Sequence, residues 1–276
     1  MKAPNQPLKP FVKWAGGKTQ FLEIINLLLP SQYNTFIEPF VGGGAVFLNK
    51  QPNKAIINDL NQELIITYQA IKHQPKELLK LLREYEKNHS KEFYETLRCQ
   101  ETKNLTELGT AARFIYLNKT GYNGLYRVNS QGEFNVPWGK RAKVKLFAKE
   151  NILEIGEYLN ENNCQILNQD YQELLPFIQT GDFLFIDPPY DSENGNGFTS
   201  YTANKFTREN QKELFNFLKE ADKKGAKWLL TNLPPISLKI CIKTTSSSPK
   251  KPRGLLIAKG KKELLLPKKY LFGIMN

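Results

Sequence analysis

The chain has 276 residues, 40% of them apolar and 12% aromatic, with a formal net charge of +12. That length suits one large domain or two small ones with a proper core. No apolar run approaches the roughly 20 residues of a membrane span, and Met1 to Pro10 lacks the apolar stretch of a secretory signal. Cys99, Cys164 and Cys241 have no paired spacing, and His73 and His89 have no Cys or His partners at ligand spacing, so neither disulfides nor a metal site is expected.

Phe11-Val12-Lys13-Trp14-Ala15-Gly16-Gly17-Lys18 sets an indole ring and two lysines around a glycine pair, just before an apolar helical segment from Phe21 to Leu29. The glycines let a backbone approach a ligand closely, and amides at a helix start favour a carboxylate or phosphate. The phosphate-loop pattern G-x-x-x-x-G-K-[ST] is absent. The same residues also fit a plain turn with Trp14 in the core. Next, Thr35 to Glu38 reads as a short apolar strand, and Gly42-Gly43-Gly44 opens a helical segment from Ala45 to Leu48. Strand, glycine turn and helix make a nucleotide-binding βαβ start, although the departure from G-x-G-x-x-G argues against a dinucleotide. A second strand, Ala55 to Asn58, ends at Asp59, where an acid suits ribose hydroxyls or caps the next helix.

From Leu60 to about Cys164 the chain departs from this alternation. Leu64, Ile65, Tyr68 and Ile71, then Leu78, Leu81, Leu82 and Tyr85, recur at helical spacing, and Ala111 to Leu117 reads as another buried helix. Residues 118–141 are rich in Gly and Asn and interleave aromatics with bases. Asn129-Ser130-Gln131-Gly132 makes a hairpin turn. A protruding hairpin with Tyr122, Arg127 and Lys140 suits DNA: Arg pairs with guanine edges, Lys with phosphate, and a ring fills a gap between bases. The alternative is an ordinary hairpin packed on the body.

Cys164 to Asn168 reads as a strand, and Asp170 after it as either a ligand contact or a helix cap. Phe183-Leu184-Phe185-Ile186 is a continuous apolar run, the look of a strand buried on both faces of a parallel sheet. It must stop at Asp187 because Pro188 and Pro189 follow and supply no N–H to a ladder. A carboxylate, a stiff turn and the ring of Tyr190 therefore meet at the carboxyl end of a strand, where open α/β sheets bind ligands. Asp187 and a backbone carbonyl of the stiff turn can accept the two N–H groups of a nucleobase amine while Tyr190 stacks on the base, leaving the nitrogen lone pair free for an electrophile. The bland reading is a buried strand with an Asp cap. Asp191 to Lys205 reads as a polar loop over the site, Thr207 to Lys223 as a helix with Thr207 as N-cap and Gly225 as stop, and Lys227 to Asn232 as a strand.

Beyond Asn232 the pattern fails. Nine of the twelve net positive charges lie between Pro234 and Tyr270, where nine Lys and Arg253 face only Glu263. Bulk charge is thus mostly a property of this tail, and it weakens the general nucleic-acid argument. Thr244 to Pro252 reads as a loop or disorder, and Leu255 to Ile257 and Leu264 to Leu266 as remnants of strands; a shift of reading frame near Leu233 would account for the change.

Lys-Trp-Ala-Gly-Gly-Lys, Glu-Pro-Phe-Val-Gly-Gly-Gly, Asn-Asp-Leu-Asn and Asp-Pro-Pro-Tyr, in that order, resemble the Dam-type DNA adenine-N6 methyltransferases (D12 class, α motif order) from about Pro10 to about Asn232. The resemblance implies a class I S-adenosylmethionine-dependent methyltransferase: a Rossmann-like α/β sheet with a mostly helical target-recognition insertion. Residues 1–60 and 164–232 would form the catalytic domain, 61–163 the insertion with its hairpin at 118–141, and 233–276 an atypical basic tail. It implies S-adenosylmethionine bound by Trp14, Lys18, Glu38, Gly42, Gly44, Asp59, Asp170 and Asp187, with no metal, and catalysis by Asp187, Pro188 and Tyr190. The strings Gly-Tyr-Asn-Gly-Leu and Gly-Glu-Phe-Asn-Val-Pro resemble the hairpin of enzymes specific for GATC. They imply a double-stranded DNA partner met by Lys13, Tyr122, Asn123, Leu125, Arg127, Pro137 and Lys140. A cytoplasmic, bacterial or phage-encoded monomer is expected, in restriction-modification or alone. Two alternatives stay open: a cytosine-N4 methyltransferase, and an inactive DNA- or cofactor-binding relative impaired by the tail.

Overall fold

The computed structural model describes residues 7–129, 131–189, 208–232, 238–242, 255–258 and 264–265. A single turn of 3-10 helix at Lys18–Phe21 leads into α1 (Leu22–Leu28), then β1 (Phe36–Glu38), α2 (Ala45–Lys50) and β2 (Ala55–Asn58). Five helices follow: α3 (Gln62–His73), α4 (Pro75–Lys87), α5 (Lys91–Cys99), α6 (Glu107–Thr120) and α7 (Lys149–Glu161). The chain then makes β3 (Cys164–Leu167), a 3-10 segment at Tyr171–Phe177, β4 (Phe183–Ile186), α8 (Arg208–Lys223) and β5 (Lys227–Asn232). Short strands β6 (Leu238–Ile242), β7 (Leu255–Ala258) and β8 (Leu264–Leu265) complete the order.

The strands form one sheet in the order β3-β2-β1-β4-β5-β6-β7-β8. The first five are mutually parallel, and β6, β7 and β8 run antiparallel to their neighbours. The chain builds outward from β1 through β2 to β3, then returns to lay β4 and β5 on the other side of β1. The winding therefore reverses between β1 and β4, and the carboxyl ends of these two strands flank the crevice that such a reversal creates.

Period-two alternation sorts the strands onto two covered faces. Phe36, Ile57, Phe183, Phe185 and Leu229 join one apolar cluster, which runs without a break into α3, α4, α6, α7 and the 118–141 segment. Ile37, Ile56, Leu184 and Ile186 face the other, smaller cluster with Tyr171, Leu174, Leu214, Phe217 and Leu218. This two-sided burial is why β4 reads as an uninterrupted apolar run. Side-chain caps start three of the helices: Asn61 accepts from Leu64 N, Ser90 from Phe93 N and Thr106 from Gly109 N.

The strand at Leu238–Ile242 was not foreseen, whereas β7 and β8 fall on the stretches read as strand remnants. The predicted loops Asp191–Lys205 and Thr244–Pro252, the cap Thr207 and the frame change at Leu233 lie outside the described residues.

One polar residue organises the helical part. Arg113 stands in the apolar run of α6 and is 3% exposed. Its Nε donates to the Leu97 carbonyl at 2.7 Å, which also accepts from Gln100 N at 3.3 Å, and its Nη2 donates to the Arg98 carbonyl at 3.2 Å, so the guanidinium caps the end of α5. Its Nη1 pairs with Glu63 Oε2 at 2.9 Å, and Tyr126 OH donates to Glu63 Oε1 at 3.1 Å. Burial pushes the Glu63 carboxyl up, and Arg113 pulls it back down. Arg113→Leu should therefore cost about 3–5 kcal/mol, because it leaves the buried Glu63 carboxylate without its counter-charge. Urea unfolding with an unchanged midpoint would contradict this account.

Candidate active site

Beyond the last residue of β4, Asp187 emerges at the crevice, and Pro188 and Pro189 prevent the strand from continuing. The register Ile186↔Leu230 places Thr231 of β5 beside it. Thr231 donates its hydroxyl to Asp187 Oδ1 at 2.7 Å and lies 3.3 Å from the Ile186 carbonyl. On the other carboxylate oxygen, Oδ2, sits the Lys18 ammonium at 2.6 Å. Lys18 also donates to the Gly16 carbonyl at 2.6 Å, and its side chain is 2% exposed. The N-terminal glycine pair thus carries a cation across to the strand-end carboxylate. Pro188 is described beside Asp187; Tyr190 lies outside the described residues.

The glycine turn forms the second wall. Gly42 has φ +48, a backbone conformation that L side chains rarely adopt. A Cβ there would come within 2.6 Å of Trp14 Cδ1. Gly42 N donates to Asp59 Oδ2 at 2.9 Å, and Asn61 N donates to Asp59 Oδ1 at 2.9 Å. Tyr68 OH closes the turn from below by donating to the Gly42 carbonyl at 3.1 Å. At Gly44, with φ +70, a Cβ would collide with that same Tyr68 hydroxyl. Asn58 ties the neighbouring loops together, donating to the Pro39 and Gln169 carbonyls at 3.0 Å each.

Burial works against charge on two carboxyl groups of the site. Desolvation pushes the Asp59 carboxyl up to about 6, against backbone N–H donors that lower it. Glu38, at the end of β1 and 3% exposed, is pushed well above the usual carboxylate range by burial and by the nearby charge of Asp187. Its Oε2 has no hydrogen-bond partner among the described residues, and neither does Gln169 Nε2 at the end of β3. A buried acceptor and a buried donor therefore stand unsatisfied at the carboxyl edge, the condition a polar ligand relieves. Asp170 accepts from Gln172 N at 2.9 Å, which is the capping role foreseen as its alternative.

Residues 118–141 fold back on themselves. Antiparallel bridges join Gly121 to Trp138 and Val128 to Phe134. The Asn129 side chain accepts from Gln131 N at 3.0 Å and from Glu133 N at 2.9 Å, shaping the tip. Tyr122 is 55% exposed, and Asn123, Pro137 and Lys140 are exposed beside it. Leu125 is half-buried against the core. Arg127 is only partly free, since its Nε donates to Asn135 Oδ1 at 2.7 Å across the hairpin. Lys13 joins this group: Asn118 accepts from Lys13 N at 2.8 Å and returns a hydrogen bond to its carbonyl at 2.8 Å. Lys119, not singled out by the sequence pattern, lies near enough to Lys13 that burial and this like charge lower its affinity for a proton.

Of the predicted site residues, the structure brings Lys18 directly onto Asp187, Trp14 onto Gly42 and Gly42 onto Asp59. Spacing gave no sign of Thr231, Tyr68, Asn118 or Gln169 as parts of the site. Tyr68 carried only a helical-core signal, and Thr231 is set by strand register. Among the described residues no group of three or more His, Cys, Asp or Glu could hold a metal, and no helix is long and apolar enough to cross a membrane.

A sheet parallel over β1 to β5, with a carboxylate at its winding reversal and a glycine turn beside it, is the arrangement of a nucleotide-type ligand site. Residues 14–251 match the family model of D12 class N6 adenine-specific DNA methyltransferases. The chain is 43% identical over 230 residues to the type II methyltransferase M1.LlaDCHI of Lactococcus lactis subsp. cremoris, covering 82% of this chain and 81% of that protein. It is 40% identical to the type II methyltransferase M.MjaIII of Methanocaldococcus jannaschii, over 82% of this chain and 84% of the relative. To the DNA adenine methylase of Escherichia coli K12 it is 35% identical, over 75% and 74% of the two chains. The chain belongs to the D12 class of N6 adenine-specific DNA methyltransferases. The family match passes Asn232, where the sequence motifs had stopped, and reaches residue 251.

Gly42→Ala should cost about 1–3 kcal/mol, from the positive φ alone, and should displace Trp14 as well. Chemical unfolding followed by tryptophan emission checks both effects. A variant with wild-type stability and spectrum would show that Trp14 does not pack on the turn as described.

Proposed function

We propose that this enzyme transfers a methyl group from S-adenosylmethionine to adenine N6 in double-stranded DNA at GATC sites, acting as a monomer on a target base turned out of the stack. One observation carries the reading: Asp187 stands at the sheet's winding reversal with both carboxylate oxygens held, beside a Pro-Pro turn whose backbone carbonyl can share the amine. In this reading Asp187 and the Pro188 carbonyl accept the two N6 hydrogens, and Tyr190 stacks on the adenine. The nitrogen lone pair is thereby aimed, and placement with electrostatics supplies the acceleration.

The residues present fit the cofactor. Asp59 would take ribose hydroxyls, Glu38, Lys18 and the Gly42–Gly44 turn would line the methionine end, and Trp14 and Asp170 would flank the remainder. When bound, the cofactor supplies an electrophilic methyl on a cationic sulfur. Burial disfavours the charge of Glu38 and Asp59, and a cation beside them would restore it. The hairpin is the reading element, with Tyr122, Asn123, Leu125, Arg127 and Pro137 at the bases and Lys13 and Lys140 at phosphates. A phosphate would stabilise the charge of Lys119, which burial and then the neighbouring Lys13 disfavour. The names of two relatives as type II methyltransferases favour a restriction-modification role over an independent one.

Purified chain with labelled S-adenosylmethionine should label duplex DNA that contains GATC and leave duplexes without it unlabelled. Label at other sites only would remove the target assignment. Asp187→Ala should lose transfer while still binding DNA, and full activity in that variant would remove the catalytic assignment.

Cofactor affinity should also depend on pH with a defined sign. An Asp59 carboxyl at about 6 loses its charge as pH falls, and the neutral form cannot accept two hydroxyls. Between about pH 7.5 and pH 5 the binding constant should fall about tenfold, and Asp59→Asn should flatten that dependence. Calorimetric titration at both pH values checks it; a constant affinity in the wild type would separate Asp59 from the ribose.

A further inference from the structure

We infer that Thr231 is a positioning residue for the transfer step: its hydroxyl fixes the rotation of the Asp187 carboxylate that receives the adenine amine. This rests on the reading of Asp187 as that acceptor.

Thr231 is fully buried at the end of β5. A β-branched side chain on a strand has few rotamers, so the hydroxyl is held in place by its own backbone before any substrate arrives. A hydroxyl has one proton to give. At 2.7 Å the Asp187 Oδ1 is the nearer acceptor, and at 3.3 Å the Ile186 carbonyl is the more distant. The shorter, charge-assisted contact takes the proton. Were Thr231 only a buried polar residue satisfying its neighbour's backbone, the distances would run the other way.

An aspartate placed just past a strand end can turn about its terminal torsion, which is broad and roughly two-fold. Here the turn is blocked from two sides. Thr231, anchored in the sheet, holds Oδ1, while Lys18, 169 residues away from Asp187 in sequence, holds Oδ2 at 2.6 Å. The two anchors differ in stiffness. Lys18 sits on a long, flexible stem following a glycine pair, whereas Thr231 hangs from a central ladder paired with β4. The threonine therefore sets the plane and the lysine supplies the compensating charge. An acceptor that swings by about 1 Å can lose about a hundredfold in rate without losing binding.

The test uses the whole enzyme under single-turnover conditions, with S-adenosylmethionine and a cognate duplex both saturating. Thr231→Val keeps the shape and removes the hydroxyl; it should slow methyl transfer by about 10- to 100-fold while the dissociation constants for cofactor and DNA stay within about twofold. Thr231→Ser should recover to within about threefold of wild type, because it restores the donor. If the valine variant does not fold, the pair Thr231→Ser and Thr231→Ala isolates the same hydroxyl, with serine expected to be the faster by the same factor. Wild-type transfer in the valine variant, or a serine variant as slow as valine or alanine, would overturn the inference. Asp187→Asn, run in parallel, separates the two levels. An active asparagine variant defeats the reading of Asp187 itself, whereas a dead asparagine variant beside a fully active valine variant defeats only the role of Thr231.

Discussion

A buried ammonium against a carboxylate, Lys18 Nζ to Asp187 Oδ2 at 2.6 Å, ties the N-terminal segment to the carboxyl end of β4. Taking two such charges out of water costs several kcal/mol per ion, and their attraction offsets this only with good geometry and further hydrogen bonds. Both conditions are met here, by the Gly16 carbonyl on one side and the Thr231 hydroxyl on the other. The pair is better understood as a geometric constraint than as a source of stability. It obliges the N-terminal segment to lie over the ends of β1 and β4, and it brings Trp14, four residues before Lys18, onto the Gly42 turn.

What the sequence made legible were the features that a single strand or turn imposes on itself. Phe183–Ile186 had to be a two-sided strand, and the prolines had to end it. Ala55–Asn58 and Lys227–Asn232 form strands with the bounds their apolar runs imply. The glycine triple had to be a turn, and Gly42 and Gly44 both adopt positive φ there. What was not legible depends on register or on distant partners. Thr231 reaches Asp187 only because Leu230 pairs with Ile186. Arg113 and Asn118 stand as polar residues in a buried helix; that signal was present, but their partners at Glu63, the end of α5 and Lys13 lie in other segments. The tail misled for a different reason. The alternation Leu238-Lys239-Ile240-Cys241-Ile242 is a strand pattern, but it follows a Pro-Pro break and sits among lysines, so its charge overshadowed its period.

The 118–141 hairpin and the wall formed by Trp14 and the Gly42 turn are one packed unit. Trp14 stacks on Tyr126 at 5.7 Å between centroids with planes 23° apart, and Tyr126 in turn meets Phe114 at 4.9 Å and Phe134 at 5.5 Å. Asn118 binds the backbone of Lys13 in both directions and adds the Gly124 carbonyl at 3.2 Å. On the far side, His89 bridges the Tyr116 hydroxyl at 2.7 Å and the Arg141 carbonyl at 2.9 Å, so the returning arm is tied to α6 as well.

Such bracing on three sides makes the base of the hairpin a fixed spacer. An element meant to switch needs two arrangements of similar free energy, and a base locked by aromatic stacking, a two-way asparagine bridge and a histidine clamp offers one. Gln131 and Gly132, at the tip, are exposed and shaped by the Asn129 side chain and not by the core. On the proposed reading of the hairpin, changes of residue on its outward positions would alter what is read while the distance from that surface to Asp187 stays constant. Under the proposed function, that separation would let the transfer geometry, which tolerates errors of well under 1 Å, coexist with a recognition surface free to vary.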